Sequence, residues 1–484
     1  MTPRQRQARA SRSTAMSREI DIPLPTRGLF VDASTSDVSG LYAAVLHNFR
    51  SNGLKLETRR QATLGPVDQV AVQRIPFEFG LSPRYVDLRA TQAECAGQTF
   101  TRAFDGNAMA AYISSQVVIA DGLDDPLLYN GTAFQLAVFT VTTGASPDAF
   151  DGVIAHHDRL YFWKTNGVLE FYYGDVGAVS GPLTRFPLDR LGNITGGIQS
   201  MMSLTMNAGV DTNDALAIIT TTGDVVIYEG LDPGDSTLWQ LSTRLKVAPP
   251  VSRFGMTRVG GDVWMMTTKG VVSMQETIAR GVLSLVNEVS RPISEEILDL
   301  VAEGPAEWQL HTAADGSQII INYFSATRQR QFIWHTDSRA WSTAGIDARR
   351  LHNLVLSTDF TSGAGRLGSL IRTKTGSEQI AMVWWSSWFK LGRHGHVAAI
   401  IPKIIAAGPL SVTAAVLSNR NATLSDIAEA SQTVTVSPEN PADPGSLITL
   451  NDLIPVGAVG SEFQLRLEIT ATWAEIVEMK ALVA

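Results

Sequence analysis

Two histidine groups contain the residue types that metal or acid–base chemistry would need. His156, His157 and Asp158 are consecutive, and His394 and His396 are separated by one residue. Neighbouring residues of a strand point to opposite faces of a sheet, and no further Cys, His or acidic residue stands at metal-site spacing near the second group. The sequence therefore favours a polar turn at the first group and predicts no metal site at either.

Two other patterns admit a catalytic or cofactor-binding interpretation. Glu295 and Glu296 could be paired carboxylates for glycoside hydrolysis, but adjacent residues diverge on a helix, and both fit a first helical turn. The run GAGRLG at 363–368 matches G-x-G-x-x-G, yet no helix follows it, which favours a turn. The sequence has no Asp-box, G-x-S-x-G or phosphate-loop motif. We therefore predict that the protein is not an enzyme and uses no cofactor.

The cysteine and a tryptophan cluster are also better explained by packing. Cys95 is the single cysteine, so the chain forms no internal disulfide, which is typical of a protein that matures in a reducing cytosol. No neighbouring base predicts a nucleophile, and we expect a buried thiol. Trp384, Trp385 and Trp388 could stack on sugars, but packing in a core or an interface is the favoured interpretation.

The N-terminal segment is basic and has no acidic residue before Glu19. A solvated tail is the ordinary interpretation of such a charge run. Guanidinium groups also pair with carboxylates, so we predict that these arginines dock on a partner protein or a neighbouring copy, with DNA as a weaker alternative. The candidate partner-docking residues are Arg4, Arg6, Arg9, Arg12 and Arg18.

A repeated β-pattern surrounds these residues. An Asp/Asn/Gly turn, an apolar run, a Thr/Asn/Gly turn and a second apolar run recur at 105–122, 156–175, 213–230, 260–275, 314–342 and 351–376. Within one repeat, Val225 to Tyr228 form an unbroken apolar run, typical of a strand covered on both faces. The spacing is about 50 residues, in the range of propeller blades, and single hairpins are marginal in water. The pattern predicts an irregular β-propeller of about six blades, with stacked β-sandwiches as the alternative.

The whole chain is predicted to be all-β and to have four parts. Ser294 is expected to cap the one inserted helix, with Ile297, Leu298 and Val301 on its buried face. The predicted parts are an Arg-rich arm at 1–20, an extended lead-in at 21–75, the β-propeller at 76–378 with an inserted helix near 292–303, and a C-terminal β-sandwich at 379–484.

Charge and hydropathy exclude two classes of protein. The formal net charge is −8, so the chain as a whole is not built to wrap nucleic acid. The most apolar stretch, 396–410, is too short to span a membrane and is interrupted by Pro402 and Lys403. We therefore expect no membrane insertion.

Several phrases of the sequence have counterparts in one protein family. His47-Asn48-Phe49, followed by Leu56, Arg59 and Arg60, is similar to an Asn–aromatic and L-x-x-R-x-G phrase near the start of its members. DGLDDPLLYNGTAF (121–134) and HHDRLYFW (156–163) resemble two further phrases. The most specific match begins ALAIITTTGDVVIYEGLDPGDSTLWQL and extends over 215–274. Together these phrases resemble the tail nozzle (tail tubular protein B-like) family of short-tailed bacteriophages.

The resemblance implies a structural virion protein that contains a β-propeller and added β-rich domains. In such a tail, six copies form a ring below the head-to-tail adaptor and continue the DNA ejection channel. The implied partners are copies of the same chain, the adaptor, tail fibres or spikes, and DNA in transit. The implied location is the virion tail, assembled in the bacterial cytoplasm. A carbohydrate-binding propeller for host attachment and a propeller hydrolase are the alternatives.

Overall fold

The computed structural model describes residues 18–31, 39–65, 70–79, 82–141, 149–165, 168–205, 214–280, 289–354, 357–371, 373, 377–418, 431–437 and 447–483. Within these ranges most regular structure is β-strand. The N-terminal strands are β1 (Arg18–Asp21), β2 (Ala43–His47), β3 (Phe49–Ser51), β4 (Leu56–Thr58) and β5 (Gln61–Leu64).

Three sheets follow as the first blades of a propeller. The first contains β6 (Gln73–Phe79), β7 (Ser82–Leu88), β8 (Gln92–Cys95) and β9 (Gln98–Thr101). The second contains β10 (Met109–Ile113), β11 (Gln116–Ala120), β12 (Leu127–Tyr129) and β13 (Phe134–Leu136). The third contains β14 (Phe139–Val141), β15 (Gly152–His156), β16 (Arg159–Trp163), β17 (Glu170–Tyr173) and β18 (Gly181–Pro187).

Four more blades complete the propeller. The fourth contains β19 (Ile198–Thr205), β20 (Asp214–Thr220), β21 (Asp224–Gly230) and β22 (Trp239–Lys246), and the fifth contains β23 (Met256–Val259), β24 (Asp262–Thr267) and β25 (Gly270–Ser273). The sixth contains β26 (Glu307–Thr312), β27 (Gln318–Phe324), β28 (Gln329–His335) and β29 (Ala340–Ala344). The seventh contains β30 (Arg350–Leu354), β31 (Ser357–Thr361), β32 (Leu367–Ile371) and β5.

Contacts between the inner strands close these sheets into a ring. β10 contacts β15, β15 contacts β19, β23 contacts β26, β26 contacts β30, and β30 contacts β6. β5 precedes the first blade in the chain but pairs with β32 as the outer strand of the last blade, which fastens the two ends of the ring together. The predicted irregular β-propeller of about six blades is confirmed, and the described residues form seven blades. Six of the seven are separate sheets, and β26–β29 belong to a larger one.

Packing on both faces explains the apolar runs of the central strands. On β21, Val226 packs in a cluster with Trp163 of the third blade, and Ile227 packs in a cluster with Met265 of the fifth blade. Alternate residues of a strand face opposite sides, so a blade between two neighbours requires apolar residues at successive positions.

The C-terminal part is a two-layered β-sandwich around one core. β38 pairs with β33 and β35, β34 pairs with β37 and β39, and the N-terminal halves of β34 and β38 pair with each other. Side chains from both layers share the core, among them Leu467 and Ile476. The strands are β33 (Ile380–Ser386), β34 (Phe389–Ala407), β35 (Leu410–Ser418), β36 (Gln432–Val436), β37 (Leu447–Leu450), β38 (Ile454–Ala471) and β39 (Trp473–Val483).

The segment predicted as an extended lead-in contributes strands to the sandwich. β1 and β4 pair with β39, and β2 pairs with β33. β2 also meets β29 of the sixth blade, so the sandwich and that blade form one 15-stranded sheet. The two ends of the chain therefore fold as one unit, joined by backbone hydrogen bonds to the propeller.

Two α-helices lie among the described residues, α1 (Met274–Arg280) and α2 (Ser294–Ala302). The predicted cap at Ser294 is wrong, because a 3₁₀ turn leads directly into α2, and Ser294 Oγ donates to the Arg291 carbonyl at 3.1 Å. The prediction that Leu298 lies on the buried face is also wrong. Leu298 is 48% exposed, and Leu300 is buried with Ile297 instead. No helix in the described ranges is long and apolar enough to cross a membrane.

Candidate functional site

One of the five arginines predicted to dock a partner lies in the described structure. Arg18 begins β1 and is paired with Val483 of β39, and its side chain is exposed. The next residue, Glu19, lies 3.6 Å from Lys480. The other four, Arg4, Arg6, Arg9 and Arg12, lie outside the described residues. The docking role of all five stays a prediction.

The His156–Asp158 group is a polar turn, as predicted. His157 and Asp158 form the two-residue connection between β15 and β16, with φ angles of 47° and 54°. His156 Nδ1 lies 2.7 Å from Ser203 Oγ, and His157 Nε2 lies 3.1 Å from the Asp214 carbonyl oxygen. Burial lowers the pKa of His156 to about 3, so its ring is neutral. In the described part of the chain no three His, Cys, Asp or Glu residues are grouped as metal ligands.

The two adjacent glutamates have different surroundings. Both lie in the first turn of α2, as predicted, and Glu295 is exposed. Glu296 accepts from Arg330 at 2.5 Å and lies 3.9 Å from Arg328. Because both arginines belong to the sixth blade or the turn before its third strand, Glu296 fastens α2 to that blade.

The glycine-rich run lies in a turn between two strands, and the second histidine group lies on a strand. GAGRLG connects β31 to β32, and Gly365 has a φ of 80°, so the predicted turn is confirmed. His396 lies on β34 opposite Val459. The side chain of His394 lies outside the described side chains.

The tryptophans and the cysteine are packed, as expected. Trp384 is fully buried in the sandwich core, and the guanidinium carbon of Arg466 lies 3.8 Å from the ring centroid of Trp385. Trp388 is half-buried. Cys95 is only 2% exposed, and burial raises the pKa of its thiol. A raised thiol pKa is unfavourable for a nucleophile.

Charged side chains meet at one end of the propeller axis, where several inner strands begin. Arg350, the first residue of β30, donates to Asn107 Oδ1 at 2.9 Å and lies 3.2 Å from Glu307 Oε2. Its guanidinium carbon stacks 4.2 Å from the ring centroid of Phe254. Asn107 precedes the second blade and Phe254 precedes the fifth. Arg350 therefore bridges opposite sides of the ring and fills this end of the axis.

Neighbouring ion pairs complete this axial cluster. Arg349 donates to both carboxylate oxygens of Glu307, at 2.7 and 3.1 Å. Arg253 donates to the carbonyl oxygen of Asp151 at 2.8 Å. Burial lowers the pKa of Arg350 to about 10, so it remains a cation at neutral pH. Cations and carboxylates are paired with each other in this cluster, which indicates a structural role for it.

Sequence reasoning missed the axial cluster, although a signal was present. Asp105, Asp151 and Glu307 each stand at or just before the first apolar run of a blade. A polar residue at that position reads as a turn signal. These turns are far apart in the sequence and come close together only when the blades close into a ring.

A cavity of about 310 Å³ lies beside the axial cluster, between the first, second and seventh blades. Residues of β6 and β10 line it, together with Phe254, Leu351 and His352. Burial lowers the pKa of His352 to about 3, so its ring is neutral. The volume matches a small-molecule site and not a passage for a macromolecule.

The Asn–aromatic and Arg–Arg phrases noted in the sequence lie where the sandwich meets the propeller. Asn48, with a φ of 61°, accepts from Arg59 Nε at 2.9 Å and from the Gly345 amide at 3.2 Å. Arg59 pairs with Glu378 at 2.6 Å, and Glu378 also accepts from the Ala62 amide at 2.7 Å. These residues join β2, the end of the sixth blade and β5, so their observed role is structural.

Comparisons with known proteins support no assignment to a family. No protein-family model matches the sequence, and no curated protein matches it. Solved structures that resemble the chain include the WD40 β-propeller domain of Doa1, with 7% identity, a TM-score of 0.39, and coverage of 66% of this chain and 98% of that one. YCF48 bound to D1 peptide has 8% identity, a TM-score of 0.37, and coverage of 65% and 96%. BamB from Moraxella catarrhalis has 10% identity, a TM-score of 0.34, and coverage of 66% and 99%. No function follows from these similarities.

Proposed function

We propose that this chain is a structural subunit of a short-tailed bacteriophage tail, of the nozzle type. In this arrangement six copies form a ring below the head-to-tail adaptor and continue the channel through which DNA leaves the head. The chain would act in the virion tail after assembly in the cytoplasm of the bacterial host.

The continuity between propeller and sandwich is the observation that carries the proposal. β29 and β33 both pair with β2, so one 15-stranded sheet runs through both units. Asn48 and Arg59 add buried hydrogen bonds at the same junction. A rigid body of this kind suits a subunit of a closed ring, in which every interface repeats the same rotation. The sequence resemblance over 215–274 points to the same role.

The contacts of Arg350 across the ring favour a channel between copies over a channel through each propeller. Arg350 contacts both Asn107 and Phe254, and the adjoining cavity has the volume of a small molecule. A net charge of −8 also suits a wall along which DNA slides, because phosphate contacts to Lys and Arg would hold the DNA in place.

The proposed partners are neighbouring copies, the adaptor, and tail fibres or spikes. The basic segment would pair with carboxylates of a neighbouring copy or of the adaptor. Replacing Arg4, Arg6, Arg9 and Arg12 with Gln should then weaken incorporation into tails, while replacing the neighbouring Gln5 and Gln7 with Asn should not. Equal incorporation of the two variants would contradict this docking role.

Electron microscopy of tailed particles made from the encoding genome tests the proposal. Gold-labelled antibody against the chain should mark the tail below the head, and mass spectrometry of the same particles should detect the chain. Absence of the chain from particles that retain their tails would overturn the proposal. A glycan array and a hydrolase substrate screen on the purified chain would then distinguish the carbohydrate-binding and enzymatic alternatives.

A further inference from the structure

A second cavity, of about 350 Å³, lies between the sandwich and the propeller. It is called the arginine pocket here because three arginines, Arg50, Arg59 and Arg60, contribute to its wall. The remaining lining residues are Glu57, Thr58, Thr373 and Trp473. Its volume falls in the range of ligand sites.

The three arginine side chains of the pocket are almost completely buried. The side chains of Arg50, Arg59 and Arg60 are 7%, 5% and 9% exposed. The Nε atoms of Arg50 and Arg60 are buried and have no hydrogen-bond partner among the described residues. Because a buried donor that makes no hydrogen bond is costly, two of the three guanidinium groups keep unused hydrogen-bonding capacity at the pocket.

Each of these arginines pairs with a carboxylate that is not among the lining residues of the pocket. Arg59 pairs at 2.6 Å with Glu378, whose side chain is 28% exposed. Arg50 pairs with Asp337 at 3.1 Å and Arg60 pairs with Asp315, whose side chains are 61% and 49% exposed. Ion pairs at exposed positions are screened by solvent and are weak. Glu57 is the one acidic residue of the described lining, against three arginines.

We propose that the arginine pocket binds an anionic oxygen group, either a phosphate or a carboxylate. Planar guanidinium groups form paired hydrogen bonds with both anions, and a low-dielectric wall strengthens those bonds. An anion in the pocket would contact the sandwich through Arg50 and the seventh-blade segment through Arg60, and so would fasten the two units together. This inference does not depend on the proposed role in a tail.

Calorimetric titration of the full chain with inorganic phosphate, and separately with succinate, tests the proposal at low ionic strength. The wild-type chain should bind one anion per chain saturably, and added NaCl should weaken binding. Asp337→Asn and the double variant Asp315→Asn/Asp337→Asn should bind about threefold to tenfold more tightly, because they remove the carboxylates that compete for the same guanidinium groups. Arg60→Gln should weaken binding about tenfold or more.

Tighter anion binding in the aspartate variants would distinguish a binding site from a cluster that has only a structural role. Asp232→Asn is the matched control, because Asp232 is 38% exposed and pairs at 3.3 Å with the largely buried Arg159, away from the pocket. It should leave the affinity unchanged. No saturable binding to the wild type, binding only to the double variant, or an equal gain with Asp232→Asn would overturn the proposal. Binding of phosphate alone would identify a phosphate-bearing ligand, and equal binding of succinate would show that the pocket accepts a carboxylate as well.

Discussion

Mild acid should destabilise this protein strongly, because burial holds five histidines in the neutral form. The pKa is lowered to about 4 for His47 and His311 and to about 3 for His156, His335 and His352, in each case chiefly by burial. In the unfolded chain a histidine titrates near pH 6.5, as an approximate reference value. As the pH falls, these histidines therefore bind protons in the unfolded state that they do not bind in the folded state.

The sign and the size of the effect follow from these values. Since the folded pKa lies below the unfolded pKa, the stabilisation is fully present above about pH 6.5 and is lost as the pH falls toward about 3–4. Each histidine then lowers the free energy of unfolding by at most about 1.4 kcal/mol per pH unit, and the five together by about 7 kcal/mol. A typical domain is stable by only about 5–15 kcal/mol, so a fall of one to two pH units would be enough to unfold it.

Urea denaturation followed by tryptophan fluorescence at about pH 7.5, 6.5 and 5.5 measures this loss. The free energy of unfolding should fall by about 5 kcal/mol over the last step, above the range in which ordinary carboxylates titrate. His335→Gln, which can keep a hydrogen bond to Ser342 Oγ, should reduce the pH dependence by about one fifth. A fall of less than about 1 kcal/mol in the wild type would refute the reasoning.

Three further effects are expected from close packing and burial. Gly152→Ala should lower the free energy of unfolding by about 1–3 kcal/mol, because its Cβ would lie 2.1 Å from Trp163 Cζ2; urea denaturation measures this. Glu378→Gln should cost about 3 kcal/mol in the same assay, because it leaves the buried Arg59 without its carboxylate. The thiol of Cys95 should react with a disulfide reagent only after unfolding, as absorbance of the released thiolate would show.

Matched measurements distinguish these effects from general damage. Gly174→Ala should change stability by less than about 0.5 kcal/mol, because its Cβ would meet only Leu183 Cδ2, at 3.6 Å. Glu19→Gln breaks an exposed pair with Lys480 and should cost at most about 1 kcal/mol. Equal losses in each pair of variants would contradict the packing and ion-pair arguments. Labelling of the native thiol at the unfolded rate would contradict its burial.

The hairpin repeat could be predicted from the sequence because it depends on local patterns. Turn residues alternate with apolar runs at blade-like spacing, and those runs are apolar at successive positions because each blade is covered on both faces. The first blade was not recognised: its strands β6 and β7 include Pro76 and Pro83 and alternate polar with apolar residues. The inserted helix lies where the sequence predicts it, but its start differs because a 3₁₀ turn that includes Pro292 precedes it directly.

The candidate sites differ in how far they could be predicted, according to whether they depend on neighbouring or on distant residues. The histidine turn and the buried thiol could be anticipated because their surroundings are nearly local. The axial cluster and the arginine pocket could not, because each combines residues more than 200 positions apart, as Asn107 with Arg350 and Arg60 with Asp315 do.

The all-β architecture and most of the strands follow from the sequence, because alternation, turn residues and apolar runs act over a few neighbouring residues. The pairing of β5 with the last blade and of the N-terminal strands with the C-terminal sandwich does not follow from such local patterns. Strand pairing between distant segments depends on which backbone edges and side chains meet when the ring closes. That closure also places the buried charges, since a guanidinium group takes its partners from every element packed around it.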